Sequence, residues 1–148
     1  FAAAGRRDQV RRILATLERR AGDDDLNGRL TRDIGLPLGQ AIVASVEHKA
    51  AKAASLLLPI RSRAHVIGGS HAQRDIFQLS CIEAALRAGQ GKLARALAAE
   101  RTAARPASPS NWQLTSRALE LQGDALAAAA MREHADLRRR AQLRRAAA

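Results

Sequence analysis

Three side chains near the middle of the chain offer acid–base chemistry. His71 and Asp75 stand four residues apart with Arg74 between them, and that spacing puts two side chains on one face of a helix. An imidazole beside a carboxylate could move a proton or supply half of a metal site. At about 100° per residue the same face carries Leu79, Ile82 and Leu86, so both polar groups are expected to point inward at the helix start. The simpler expectation is structural: the helix dipole favours a carboxylate in the first turn, and the histidine closes a loop. The spacing places no third ligand and no nucleophile beside them. The chain is therefore expected not to be an enzyme and to hold no cofactor and no metal.

Other candidates for chemistry weaken on inspection. Cys81 lies ten residues after His71, about 15 Å along a helix and about 80° around it, so the two form no dyad and Cys81 reads as a small buried residue. His48, His65 and His134 show no metal-ligand spacing. Gly68-Gly69-Ser70 precedes a helix, but neither a lysine nor a third glycine follows, so it is no phosphate loop. That helix start, with Ser70, Arg74 and Arg61 or Arg63 near it in sequence, could still attract an anion. Arg138, Arg139, Arg140, Arg144 and Arg145 encircle a final helical segment and leave it no clean apolar stripe. Such a segment projects or frays. It could meet the phosphates of a nucleic acid, although the aromatic residues that stack single strands are absent nearby. A solvated helix end is the expectation for residues 138–148.

The elements that would position these groups are helices. Of 148 residues, 34 are alanine, 22 arginine and 19 leucine, against 7 isoleucines, 4 valines and no tyrosine. Alanine, arginine and leucine are the strongest helix formers, and β-formers are too few to build a sheet. Sandwiches, barrels and doubly wound folds are excluded, and an all-α fold is expected. The formal net charge is +11. The longest strongly apolar run, Leu56-Leu57-Leu58, ends at Pro59, far short of the roughly 20 residues of a membrane span. One cysteine allows no intramolecular disulfide, and a reducing, cytoplasmic setting is expected.

About six to seven helices with short connections follow from the periodicity. Val10, Ile13, Leu14 and Leu17 mark an amphipathic helix over 6–21. Gly35-Leu36-Pro37 reads as the next helix start, with proline in the first turn. From Leu38 the pattern runs to Gly68-Gly69; Glu47-His48-Lys49 is the one plausible break, so one helix and a hairpin both remain open. Ser70-His71-Ala72-Gln73 has the form of a capping box, opening a helix over 71–88. Helices over 92–104, 110–122 and from 125 onward follow, with Ser108 as N-cap and Pro109 at the first helical position of the second of these.

The last pair carries a repeat signature. Trp112, Ser116 four residues on and Ala128 sixteen on match the tetratricopeptide spacing, in which small residues sit where two helices of a hairpin touch. Trp112 is then expected to fill the gap between neighbouring repeats. Arg132 and Leu119 stand where that repeat has aromatics. Counting back, Ala96 with Ala84 and Gly91, and Ala53 with Ala41, are expected to play the same parts.

Longer segments resemble a known family. Asn27-Gly-Arg-Leu-Thr-Arg-Asp33, Leu56-Leu-Leu-Pro59, Ile67-Gly-Gly-Ser-His-Ala-Gln-Arg-Asp75 and Leu93-Ala-Arg-Ala-Leu-Ala-Ala-Glu-Arg101 are similar, in order, to the C-terminal part of the bacterial branch of the tetratricopeptide repeat protein 38 family. His48-Lys49-Ala50 departs from it, since relatives have a Gly-Asp-Tyr turn there. The resemblance implies one tetratricopeptide-like array of helical hairpins (an α-solenoid) over 1–148, preceded in longer relatives by further repeats. It implies a non-catalytic scaffold for a protein or peptide partner, with self-association through uncovered apolar faces. A nucleic-acid-binding module using the arginine-rich last helix is the alternative.

Overall fold

The computed structural model describes residues 1–147, the side chains of His71 and Ala72 excepted. Among the described residues there is no strand, and seven helices run eleven residues or more. The chain divides into two compact units, residues 1–84 and 85–148.

The first unit holds α1 (Arg7–Ala21), α2 (Leu26–Leu30), α3 (Leu36–Val46), α4 (Ala50–Ile60) and most of α5 (His71–Arg87). Asp25 starts α2, its carboxylate accepting the Gly28 N–H at 2.7 Å. Only glycine fits at 28: a Cβ there would come within 2.1 Å of the Asp23 carbonyl oxygen. The Gly28 N–H, and after it the Arg20 guanidinium, hold the Asp25 carboxyl below the usual carboxylate range. From Leu26 the helix runs on without a break. It passes through a π-helical turn, Thr31–Gly35, directly into α3, so Gly35-Leu36-Pro37 is not a helix start. Gly35 and Leu36 keep right-handed helical angles, and the Leu36 N–H reaches five residues back to the Thr31 carbonyl. A proline ring inside a regular helix strikes the carbonyl four residues earlier. The wider turn lies immediately before Pro37, where that clash would fall.

Residues 38–66 are a hairpin rather than one helix, and the break is at Glu47-His48-Lys49. His48 takes the left-handed conformation, φ 58°, and the Lys49 N–H donates to the Ala44 carbonyl at 2.8 Å. This is the helix-ending motif that glycine usually serves. Pro59 sits in the last turn of α4, which stops at Ile60 rather than at Gly68-Gly69. A 3-10 turn, Ala64–Ile67, bridges from there.

The second unit holds the end of α5, then α6 (Gly91–Ala104), α7 (Pro109–Glu120) and α8 (Ala125–Ala146). Here α7 packs against both α6 and α8.

Three turns have one geometry. His48, Gly89 and Gly123 are left-handed, with φ 58°, 68° and 78°. The residues that follow, Lys49, Gln90 and Asp124, each donate an N–H to the carbonyl five residues back, at 2.8, 3.0 and 3.1 Å. Five residues after each left-handed residue stands an alanine with 0% exposure: Ala53, Ala94 and Ala128. Seven residues before each stands a buried Ala41, Ile82 or Ser116. These alanines are 41 and 34 residues apart, and 34 is the length of a tetratricopeptide repeat. Ala96 does not play the part expected of it; it is exposed, and Ala94 is buried in its place. The error came from setting the turn at Gly91, which is already the first residue of α6. Ala84 is buried as expected.

His48 is the one described non-glycine residue with a positive φ, and a Cβ in the left-handed region carries a steric cost. His48→Gly should raise the unfolding free energy by about 0.5–1 kcal/mol, measured by urea denaturation.

Candidate functional site

The capping box forms at the start of α5. The Ser70 N–H donates to Gln73 Oε1 at 2.7 Å, and the Gln73 N–H donates to Ser70 Oγ at 3.2 Å. Those donors are satisfied within the turn, so an anion there would have to displace them. Arg63 is ion-paired with Asp33 at 2.8 Å. Arg74 and Asp75 are half-buried and both are engaged, while the His71 side chain lies outside the described residues. The inward face expected for this helix is covered only along its second half: Ile82 and Leu86 are buried, whereas Leu79 is exposed. Among the described residues no group of three His, Cys, Asp or Glu side chains could hold a metal ion.

Cys81 is fully buried. Burial pushes its thiol up from the ordinary value, and the Arg61 guanidinium pulls the other way. A neutral, enclosed thiol is no nucleophile.

The Trp112 indole N–H donates to the Pro106 carbonyl at 2.8 Å. Its ring stacks on His134 with centroids 4.8 Å apart and planes 20° apart. It thus ties α7 to α8 and to the loop before α7. The small-residue contact does occur: Ser116 Oγ donates to the Ala128 carbonyl at 2.9 Å. Arg132, standing in an aromatic's place, reaches Ser116 Oγ at 3.4 Å and pairs with Glu120. Ser108 occupies the N-cap position of α7, but its hydroxyl pairs with Ser110 Oγ at 3.0 Å and does not cap.

The sequence reading missed a buried polar seam between α6 and α7. Asn111 is 1% exposed; its Oδ1 accepts from Arg101 Nε at 2.8 Å, and its Nδ2 donates to the Arg101 and Arg105 carbonyls at 3.3 and 3.1 Å. Beside it the Thr102 and Thr115 hydroxyls meet at 3.1 Å, with the Ala98 and Asn111 carbonyls accepting their protons at 2.8 and 3.1 Å when each hydroxyl serves as donor. Asn111, Thr115 and Ala118 stand at spacings of four and three. A polar pair continuing into a buried alanine on one helix face is the signal that could have found the seam. Polar groups so enclosed are stable only when bonded, which fixes the register of the two helices.

The basic residues lie on the last three turns of α8, which stays helical through Ala146. Residues 136–147 are all exposed. Arg139 pairs with Asp136 at 3.2 Å, and Gln142 Nε2 donates to the Ala107 carbonyl at 3.2 Å, holding the helix beside the loop that precedes α7. Arg138, Arg140, Arg144 and Arg145 have no carboxylate partner among the described residues. Four guanidinium groups without a carboxylate partner among the described residues thus lie together on the helix end. No family model and no solved structure matches the chain.

Two measurements test these assignments. Asn111→Ala strips the buried Arg101 guanidinium and two backbone carbonyls of a partner, and should cost about 2–3 kcal/mol of unfolding free energy in denaturant. For Cys81, the raised folded-state value means the thiol ionises more readily in the unfolded chain, whose thiol titrates near 8.5. Its stabilising contribution is complete below that pH and is lost as pH rises through the folded value. Between about pH 8 and 10 the unfolding midpoint of the native chain should fall more steeply than that of Cys81→Ala. Parallel slopes would contradict the assignment.

Proposed function

We propose that the chain is a tetratricopeptide-like array of helical hairpins, related to the bacterial branch of the tetratricopeptide repeat protein 38 family, that acts as a non-catalytic scaffold for a protein partner. The observation that carries this reading is the repeated hairpin: one turn geometry at His48, Gly89 and Gly123, with a fully buried alanine at the same offset after each. Stacked hairpins present large surfaces and store little chemistry. No helix is long and apolar enough to cross a membrane among the described residues, and a cytoplasmic setting suits a chain with one buried thiol.

The surface that would engage a partner is on α1. Leu14 and Leu17 face Gly39 of α3, yet the rest of the stripe is incompletely covered, with Ile13 45% exposed. Phe1, Ile13 and Leu17 line a shallow groove of about 270 Å³ there. An apolar stripe left open to water favours association, and a second copy of the chain is one available occupant.

Light scattering over rising protein concentration should show self-association that Ile13→Asp weakens at least tenfold. A strict monomer at high concentration, with Ile13→Asp behaving identically, would remove α1 as the interaction surface.

A further inference from the structure

The end of α8 carries its unneutralised arginines in two rows. With Arg138 set at 0° and about 100° per residue, Arg145 falls near 340°, while Arg140 and Arg144 fall near 200° and 240°. Ala135, which is buried, lies near 60°, so the Arg140/Arg144 row is centred on the outward face and the Arg138/Arg145 row flanks it on one side. Between them stand Leu137 and Ala141, near 260° and 300°, both exposed. The paired residues Arg139 and Asp136 and the loop-bound Gln142 occupy the other side. Along the axis the rows extend about 10 Å and about 6 Å.

From this geometry we propose that the C-terminal part of α8 binds double-stranded DNA by lying in its major groove, each arginine row on one phosphate backbone. The groove, about 12 Å wide, admits an α-helix, and a helix seated there needs cations along both edges with low side chains between them. The two rows supply the first, and Ala141 with Leu137 supplies the second. Because residues 136–147 are exposed throughout, the helix can enter without unpacking. A-form RNA has a deep, narrow major groove that does not admit a helix in this way. Single strands are disfavoured as well, since the nearby indole already stacks on His134 and its N–H is bonded. This site is independent of the α1 surface and of the scaffold reading.

The test is fluorescence anisotropy with a labelled 20-base-pair DNA duplex of arbitrary sequence, repeated across salt concentrations. Each neutralised phosphate contributes about −0.9 to the slope of log affinity against log salt. Changing Arg138, Arg140, Arg144 and Arg145 together to Gln should make that slope shallower by about 3 to 4. Helicity should be unchanged, because these side chains are exposed and unpaired. A charge-matched control on α1, with Arg6, Arg7, Arg12 and Arg19 changed to Gln, should move the slope by less than about 1. If the fourfold variant fails to fold, the pairs Arg138/Arg145 and Arg140/Arg144 changed separately should each remove about 2. An equal loss in the α1 control would overturn the proposal, as would equal affinity for an RNA duplex of the same length. Binding to phosphatidylserine vesicles that the same four substitutions abolish, without measurable DNA binding, would overturn it in favour of an anionic surface.

Discussion

How closely two helices of one hairpin may approach is the constraint on which the rest of the molecule depends. Ala53, Ala94 and Ala128 are wholly enclosed, and at Ser116 the contact is tight enough for a side-chain hydroxyl to reach a carbonyl of the neighbouring helix at 2.9 Å. A larger side chain at Ala53 or Ala128 would push α3 from α4 or α7 from α8, and overpacking of this kind typically costs about 1–3 kcal/mol. The close approach exists only because each turn reverses the chain within a few residues. That reversal requires a left-handed residue followed at once by an N–H returning five residues, a geometry found at His48, Gly89 and Gly123. Small contact residues and tight turns therefore belong to a single device. A core in which more than half of the buried apolar residues are alanine is its consequence and not a sign of weak packing.

The same device explains what could be read from the residues and what could not. All-α architecture followed from composition. The connections between 88 and 92 and between 122 and 125, and the capping box of Ser70 and Gln73, followed from residue types that have few other uses. The turn at Glu47-His48-Lys49 was only half legible, because no glycine, proline, asparagine or aspartate marks it and a single helix stayed open as the alternative. Placing the second turn at Gly91 instead of Gly89 moved the count by two and exchanged a buried alanine for an exposed one. In a segment where Ala94, Ala96, Ala98 and Ala99 all occur, composition offers nothing to correct such a slip. The π-helical turn before Pro37 was equally silent, since Gly-Leu-Pro is as compatible with a helix start as with a helix that widens and continues.

Of the candidate sites, those resting on local backbone chemistry were legible and those resting on packing between helices were not. The Ser70–Gln73 exchange involves neighbours in sequence. The Arg101–Asn111 pair joins residues ten apart across a loop, and nothing in either residue alone shows that it is buried. Trp112 was conspicuous as the single tryptophan, yet its position was set by two groups outside the repeat signature, the Pro106 carbonyl and the His134 ring. The repeat spacing described the contact of small residues correctly.

The arginines of this surface differ in how their charge is compensated. Elsewhere several arginines have a carboxylate beside them, Arg20 with Asp23 and Asp25, Arg63 with Asp33, and Arg132 with Glu120, while the buried Arg101 bonds the amide oxygen of Asn111 inside the second unit. Exposed pairs contribute little to stability, but they remove the charge from the field that a distant polyanion feels. On the last turns of α8 this neutralisation stops: beyond Asp136 no acidic residue occurs, although five arginines follow. A solubilising helix end needs only interspersed charge of either sign. A run of one sign, unscreened by its neighbours and displayed on the exposed end of a helix, concentrates the positive potential where counter-ions or phosphates would gather. The excess of positive charge is thus unevenly spent, and its least compensated part lies where the backbone is most open to a partner.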